Sequence, residues 1–200
     1  MSGRLPSVPP QKSRKSGGEK TRIDSKDITL GVVFASLYAV VNLIQAATIG
    51  NPAISGPLQL RVSDCLIPLA ALLGWPVLAG VTFGCAITNL LAFIDPLDVV
   101  LGPVANLVAA TLVITLRRRK IVACVAAAFP IGVIVGGGYL WLFFAPPSIF
   151  GLNLPVWMAM MISITMSSLI ATAVIGYPLL RLLNRPGVIE PLKSRGLKTY

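Results

Sequence analysis

Six apolar runs separated by short connections occupy most of this 200-residue chain, at 28–49, 60–74, 75–94, 99–116, 121–144 and 154–183. About 20 residues in a helix suffice to cross the hydrocarbon of a bilayer. A soluble fold is excluded by the balance of surface chemistry: 55% of the residues are hydrophobic and only 12% are charged, too few to cover a domain of this size. The expected fold is all-α, a polytopic bundle of six transmembrane helices in a lipid bilayer. The expected organisation is a disordered basic tail over 1–27, the membrane domain over 28–184 and a second cytoplasmic tail over 185–200. The first tail is rich in Ser, Gly, Pro, Lys and Arg and cannot bury a core. It is not read as a signal peptide, because the first apolar run begins late and is long.

The basic residues orient this bundle. Seven lie before Ile28, four in Arg117–Lys120 and five between Arg181 and Lys198, and on a six-span map all sixteen fall on one side. The positive-inside rule places both termini in the cytoplasm of a plasma-membrane protein. The net charge of +10 therefore marks topology and not nucleic acid, for which a basic stripe interleaved with exposed aromatics would be needed. Cys65, Cys85 and Cys124 stand far apart with no CxxC spacing, and the chain has no histidine, so they read as small packing residues. Phosphate-binding GxxxxGK[ST], GxSxG and HExxH motifs are absent, which removes ATP hydrolysis by that loop and the usual hydrolase and zinc chemistries. No cofactor is implied, and the chain is not expected to be an enzyme.

On the outer side stand Arg61 and three acids, Asp64, Asp95 and Asp98. The run 60–74 would rise only about 22 Å as an α-helix, with Arg61 at the interface and Asp64 one turn deeper. Pro68 lacks the N–H that would serve the carbonyl of Asp64 in an α-helix, so a carboxylate and a freed carbonyl would coincide. Such groups within a membrane are costly and point to function. The alternative is an Arg61–Asp64 ion pair that pins the helix end. Asp95-Pro96-Leu97-Asp98 reads as a helix start, with Asp95 the N-cap. Asp98 shares a face with Gly102, Ala105, Asn106 and Ala109, a strip fit for a flat ring or for plain helix packing. Asn89 continues a stripe with Thr82 and Cys85, and its amide offers both donors and acceptors. Gly80, Gly84 and Thr88 read as a packing face, and Thr165, Ser168 and Thr172 as hydroxyls bonded back to their own helix. Tyr139, Trp141, Phe143, Phe144 and Trp157 read as an interfacial belt, with stacking on a ligand as the alternative. Gly31, Ala35 and Ala39 form a GxxxAxxxA face.

The blocks LRVSDCLIPLAALLGWPVLAGVTFGCAITNLL and DVVLGPVANLVAA resemble the QueT family, substrate-binding (S) components of energy-coupling factor transporters. The resemblance spans 28–183. It implies an S-component that captures a queuosine precursor or related 7-deazaguanine from outside, with a separate transmembrane coupling protein and two ATPase subunits as partners. It also implies that Ala35 and Ala39 dock on the coupling protein, and that the loop 50–59 closes over substrate. One departure is Asp64, where many members carry glutamate. A deazaguanine presents adjacent N–H donors that a carboxylate accepts in pairs. Asp64 is therefore assigned to the donor edge, Asn89 and Asn106 to the carbonyl edge and Asp98 to a cationic arm, with Arg61 beside them. An S-component for another vitamin or nucleobase, a ligand-free assembly protein, and an intramembrane enzyme using Asp64 and Asp98 remain as alternatives.

Overall fold

The computed structural model describes residues 24–49, 53–55, 58–92, 96–143, 153–194 and 196–199. Asp95, Phe144, the tail before Asp24 and most of the connections 50–59 and 144–155 lie outside the described residues. The helices are α1 (Ser25–Thr48), α2 (Val62–Leu73), α3 (Trp75–Ala92), α4 (Pro96–Thr115), α5 (Lys120–Phe143), α6 (Val156–Leu183) and a short α7 (Pro186–Ser194). A small hairpin, β1 (Ala53–Ser55) and β2 (Leu58–Leu60), lies between α1 and α2, with Ile54 paired to Gln59. Helices α1, α4, α5 and α6 are long and apolar enough to cross a membrane, and α2 and α3 are shorter apolar helices. The chain is a membrane protein, and its outward-facing side chains agree: Val32, Phe83, Leu90, Val100 and Val174 are each 59–66% exposed, which suits lipid and would be costly in water.

The chain reverses at each connection. Tyr38 and Gln45 of α1 meet Asp64 and Val62 of α2 in descending order, so these two helices are antiparallel. Gly31 lies against Pro76, and Gly84 against Ala35 and Tyr38, so α1 and α3 run the same way. Antiparallel α5 and α6 pair Gly136 with Met161, Gly132 with Thr165, and Cys124 with Thr172. The C-terminal segment returns to the start of α1, where Lys198 Nζ lies 3.1 Å from Asp27 Oδ2.

Close approach without large side chains holds these pairs, as expected where lipid removes the usual driving force for association. A Cβ on Gly80 would lie 2.6 Å from Phe34 Cβ, and one on Gly84 2.7 Å from the Ala35 carbonyl oxygen. The packing reading of that stripe is therefore the right one.

Helix α2 is the core of the bundle, buried on every side from Leu66 to Leu73. Its first eight residues, Val62–Leu69, wind as a 3₁₀ helix. This corrects the α-helical expectation and its consequence. With i→i+3 bonding, the donor missing at Pro68 is the one that would serve the Cys65 carbonyl, not that of Asp64. Gly176 of α6 packs against the Cys65 carbonyl, where a Cβ would come within 2.9 Å of the oxygen. The 3₁₀ rise of about 2 Å per residue also stretches a segment that is short for its task. At Gly74, with φ 71°, the chain leaves α2 and turns directly into α3.

Candidate functional site

Two buried carboxylates anchor a polar cluster at the end of the bundle where α1 and α3 finish and α2 and α4 begin. Gln45 builds its entrance. Its Nε2 donates to the Leu60 carbonyl at 2.7 Å and its Oε1 accepts from the Val62 N–H at 2.8 Å, so it caps the first turn of α2, whose N–H groups lack partners within the helix. Arg61 precedes that turn and Asp64 lies within it.

Asp98, 1% exposed, is held on three sides. Arg61 Nη2 lies 2.8 Å from its Oδ2, the Tyr139 hydroxyl donates to its Oδ1, and Asn89 Nδ2 donates to its backbone carbonyl at 2.7 Å. The partner of Arg61 is thus Asp98 of α4, and the Arg61–Asp64 pair considered from the sequence is replaced. Asp64, 2% exposed, accepts from the Tyr38 hydroxyl at 2.8 Å, and Asn106 Nδ2 donates to that same hydroxyl oxygen at 2.9 Å. All five residues expected at a binding site therefore lie in two neighbouring hydrogen-bonded groups, Asp64 and Asn106 joined through Tyr38, and Arg61 and Asn89 joined through Asp98.

Tyr139 is corrected from the interfacial belt to the interior, at 1% exposed. The cause is local winding. Residues Gly132–Leu140 of α5 form a π-helix, just after Pro130 has removed one backbone donor. The wider turn shifts the face that a 3.6-residue period would assign to Tyr139. Phe143 and Trp157 remain exposed, at 49% and 43%. Tyr38, Asn42 and Gln45 were not singled out from the sequence. They recur at helical spacing on a helix otherwise rich in Val, Leu and Ala, and that spacing is the signal that would have found them.

The small-residue face of α4 is buried as expected, but its glycine is not an open platform. A Cβ at Gly102 would lie 2.5 Å from Asn89 Nδ2 and 3.0 Å from Asp98 Oδ1, so polar atoms of the cluster cover it. Arg61, Asp64, Gly102, Asn106 and Ser168 line a cavity of about 10 Å³. That is room for about one water molecule, whereas small-molecule sites run to about 300 Å³ or more. In this conformation the cluster is closed on itself. Thr165 and Thr172 bond back to the carbonyls of Met161 and Ser168, and Thr172 also reaches Cys124 of α5 at 2.8 Å. Cys65, Cys85 and Cys124 are unpaired thiols.

Away from this cluster, Gly31, Ala35 and Ala39 do two things. Gly31 and Ala35 press against α3, and all three line an open groove of about 540 Å³ with Ser36, Phe83 and Ile87.

No curated protein and no solved structure matches the chain. A family model, the QueT transporter, matches residues 28–185, from the first turn of α1 through the end of α6. The protein with this closed polar cluster inside an apolar helical bundle belongs to the QueT transporter family.

Proposed function

We propose that the chain is the substrate-capture (S) component of an energy-coupling factor importer, taking up a queuosine precursor or related 7-deazaguanine from outside the cell. All six helices α1–α6 then traverse the plasma membrane, both termini lie in the cytoplasm with the basic residues, and the polar cluster opens outward. One observation carries the reading: the cluster holds two carboxylates and one arginine, and the arginine is spent on Asp98, which leaves Asp64 as a surplus buried acid. A carboxylate in that position gains most from a ligand with paired N–H donors, and the 2-amino-lactam edge of a deazaguanine supplies them. Asn106 and Asn89 would serve the carbonyl side of the ring by turning their Nδ2 groups from Tyr38 and the Asp98 carbonyl, where they donate in the closed cluster.

Binding requires the cluster to part, with the β1–β2 hairpin and the clamp of Gln45 on Leu60 as the movable outer piece. The groove along Gly31, Ala35 and Ala39 receives the transmembrane coupling protein, whose two ATPase partners supply the hydrolysis this chain does not perform.

Calorimetric titration of the purified protein with 7-aminomethyl-7-deazaguanine tests the reading. Saturable heat is expected, and Asp64→Asn should abolish most of it while the protein still inserts. The narrow cavity favours one rival, a membrane assembly protein without a ligand. That rival predicts no heat with any base and no effect of Asp64→Asn. An S-component for another nutrient would instead release a different small molecule, identifiable by mass spectrometry of the purified protein.

A further inference from the structure

At the end of the bundle opposite the polar cluster, Pro178, Arg181, Leu182 and Arg185 line an open groove of about 620 Å³. Pro178, Arg181 and Leu182 share one stripe of the last turns of α6, Arg185 follows just past the helix end, and all four are exposed. Neither arginine is ion-paired, since the two ion pairs among the described residues are Arg61–Asp98 and Lys198–Asp27. The acids described at this end are Asp24, Asp27 and Glu190, and Lys198 already holds Asp27. Arg181 suits the negative end of α6, but Arg185 lies beyond the last turn, so the helix dipole accounts for one charge and not for the pair. Two further features border the groove. Along α6 the outward surface is apolar, with Leu182 49% exposed and Val174, one turn before Pro178, 64% exposed. On the other side α7 begins, and a Cβ on Gly187 would meet nothing within 4 Å, so the first turn of α7, whose N–H groups lack partners within the helix, is uncovered.

We propose that this groove is a binding site for the headgroup of an anionic phospholipid, with Arg181 and Arg185 on its phosphate and its acyl chains laid along Pro178 and Val174. A phosphodiester offers several acceptor oxygens to the planar fork of a guanidinium, and the start of a helix favours the same charge. A lipid satisfies both halves of the groove at once, whereas a soluble anion would leave the apolar stripe without a partner. The positive-inside rule requires basic residues in the loops of this end, but it does not require two arginines to flank an open groove at the foot of a lipid-facing helix. In the proposed topology the site faces the cytoplasmic leaflet, where anionic lipids attract basic segments beside a transmembrane helix. The inference stands apart from what the polar cluster binds.

Native mass spectrometry of the full chain in detergent, with phosphatidylglycerol and phosphatidylcholine added in equal amounts, tests the proposal. The protein should retain phosphatidylglycerol preferentially. Arg181→Gln/Arg185→Gln should lower that retention by about tenfold or more, while Arg117→Gln/Arg119→Gln, which removes the same charge from the loop between α4 and α5, should change it by less than about twofold. Arg185→Gln alone, outside the turns of α6, should give a smaller loss in the same direction and covers the case in which the double variant fails to insert. Inorganic phosphate in excess should neither displace the lipid nor raise the melting temperature. Equal retention of the two lipids, or equal losses from the two arginine pairs, would reduce the groove to diffuse surface charge and overturn the proposal. Displacement of the lipid by inorganic phosphate would make it a site for soluble anions and overturn it as well.

Discussion

Asp64 and Asp98 are buried to the same degree, 2% and 1% exposed, at the same end of the bundle, yet they live in opposite circumstances. Asp98 has an arginine at 2.8 Å, a tyrosine hydroxyl on its other oxygen and an asparagine on its backbone. Asp64 has one neutral phenol. The difference separates architecture from recognition. The Asp98 half is complete and joins α2, α3, α4 and α5 into one unit, whereas the Asp64 half is short of hydrogen-bond donors. A bundle that needed only a polar clasp would have no reason to bury the second acid, since charged groups are expensive at membrane depth.

Breaking the Asp98 half should produce the largest effect. Arg61→Met leaves a buried carboxylate without its counter-charge, a loss of about 3–5 kcal/mol for a buried pair. The expected outcome is failure to recover a monodisperse protein in detergent. The companion Arg61→Met/Asp98→Leu removes both charges and should restore most of the yield, because the pair acts as a unit. If the double variant is as damaged as the single, Arg61 supports something other than Asp98.

Next in size is the recognition half. Asp64→Asn can still accept the Tyr38 hydroxyl through its amide oxygen, so the melting temperature should stay close to that of the wild type. Ligand affinity should drop about a hundredfold, or roughly 2.8 kcal/mol, because charge-assisted paired hydrogen bonds become neutral ones. The contrast between the two acids collapses if Asp64→Asn destabilises the bundle as severely as Arg61→Met does. A smaller change, Tyr139→Phe, removes one of the donors to Asp98 while the arginine stays. It should cost about 1 kcal/mol in a thermal unfolding series and leave ligand affinity within a factor of two.

The sequence carried the all-helical, apolar character of the bundle because hydrophobic runs respond to the bilayer itself, which acts on every helix alike. Arg61, Asp64, Asn89, Asp98 and Asn106 were legible for a related reason: a polar residue stands out against an apolar run. Which acid pairs with Arg61 was not legible. Sequence spacing favoured the near neighbour at i+3, whereas α4 delivers Asp98 from 37 positions away. Tyr139 was lost to a departure from the 3.6-residue period, since the π winding over Gly132–Leu140 moves it to a face that ordinary helical spacing does not assign it. The 3₁₀ winding of Val62–Leu69 redirected the carbonyl freed by Pro68 in the same way. Tyr38, Asn42 and Gln45 are less legible because the small residues Gly31, Ala35 and Ala39 give α1 the stronger pattern, and three polar residues on its other face stand among Val, Leu and Ala.

The groove face of α1 supplies the smallest expected effect on the molecule itself. Ala39 is half-buried on the groove side, whereas Tyr38, Asn42 and Gln45 face inward to the cluster. Ala39→Leu adds apolar volume where the groove has room, so stability should change by no more than about 0.5 kcal/mol, as for substitutions away from packed features. Ligand affinity should also be unchanged, because the inward face is untouched. What should be lost is co-purification with the coupling protein, since a flat stripe of small residues allows a partner helix to approach closely and a leucine on it does not. Ala35 makes a poorer probe, because its backbone already abuts Gly80 and Gly84 and a larger side chain there risks disturbing α3. If the Ala39→Leu protein still co-purifies at full yield, the groove is a lipid-facing furrow and the docking surface lies elsewhere. If instead ligand affinity falls along with co-purification, the two faces of α1 are mechanically linked, and the separation of recognition from docking along this helix has to be given up.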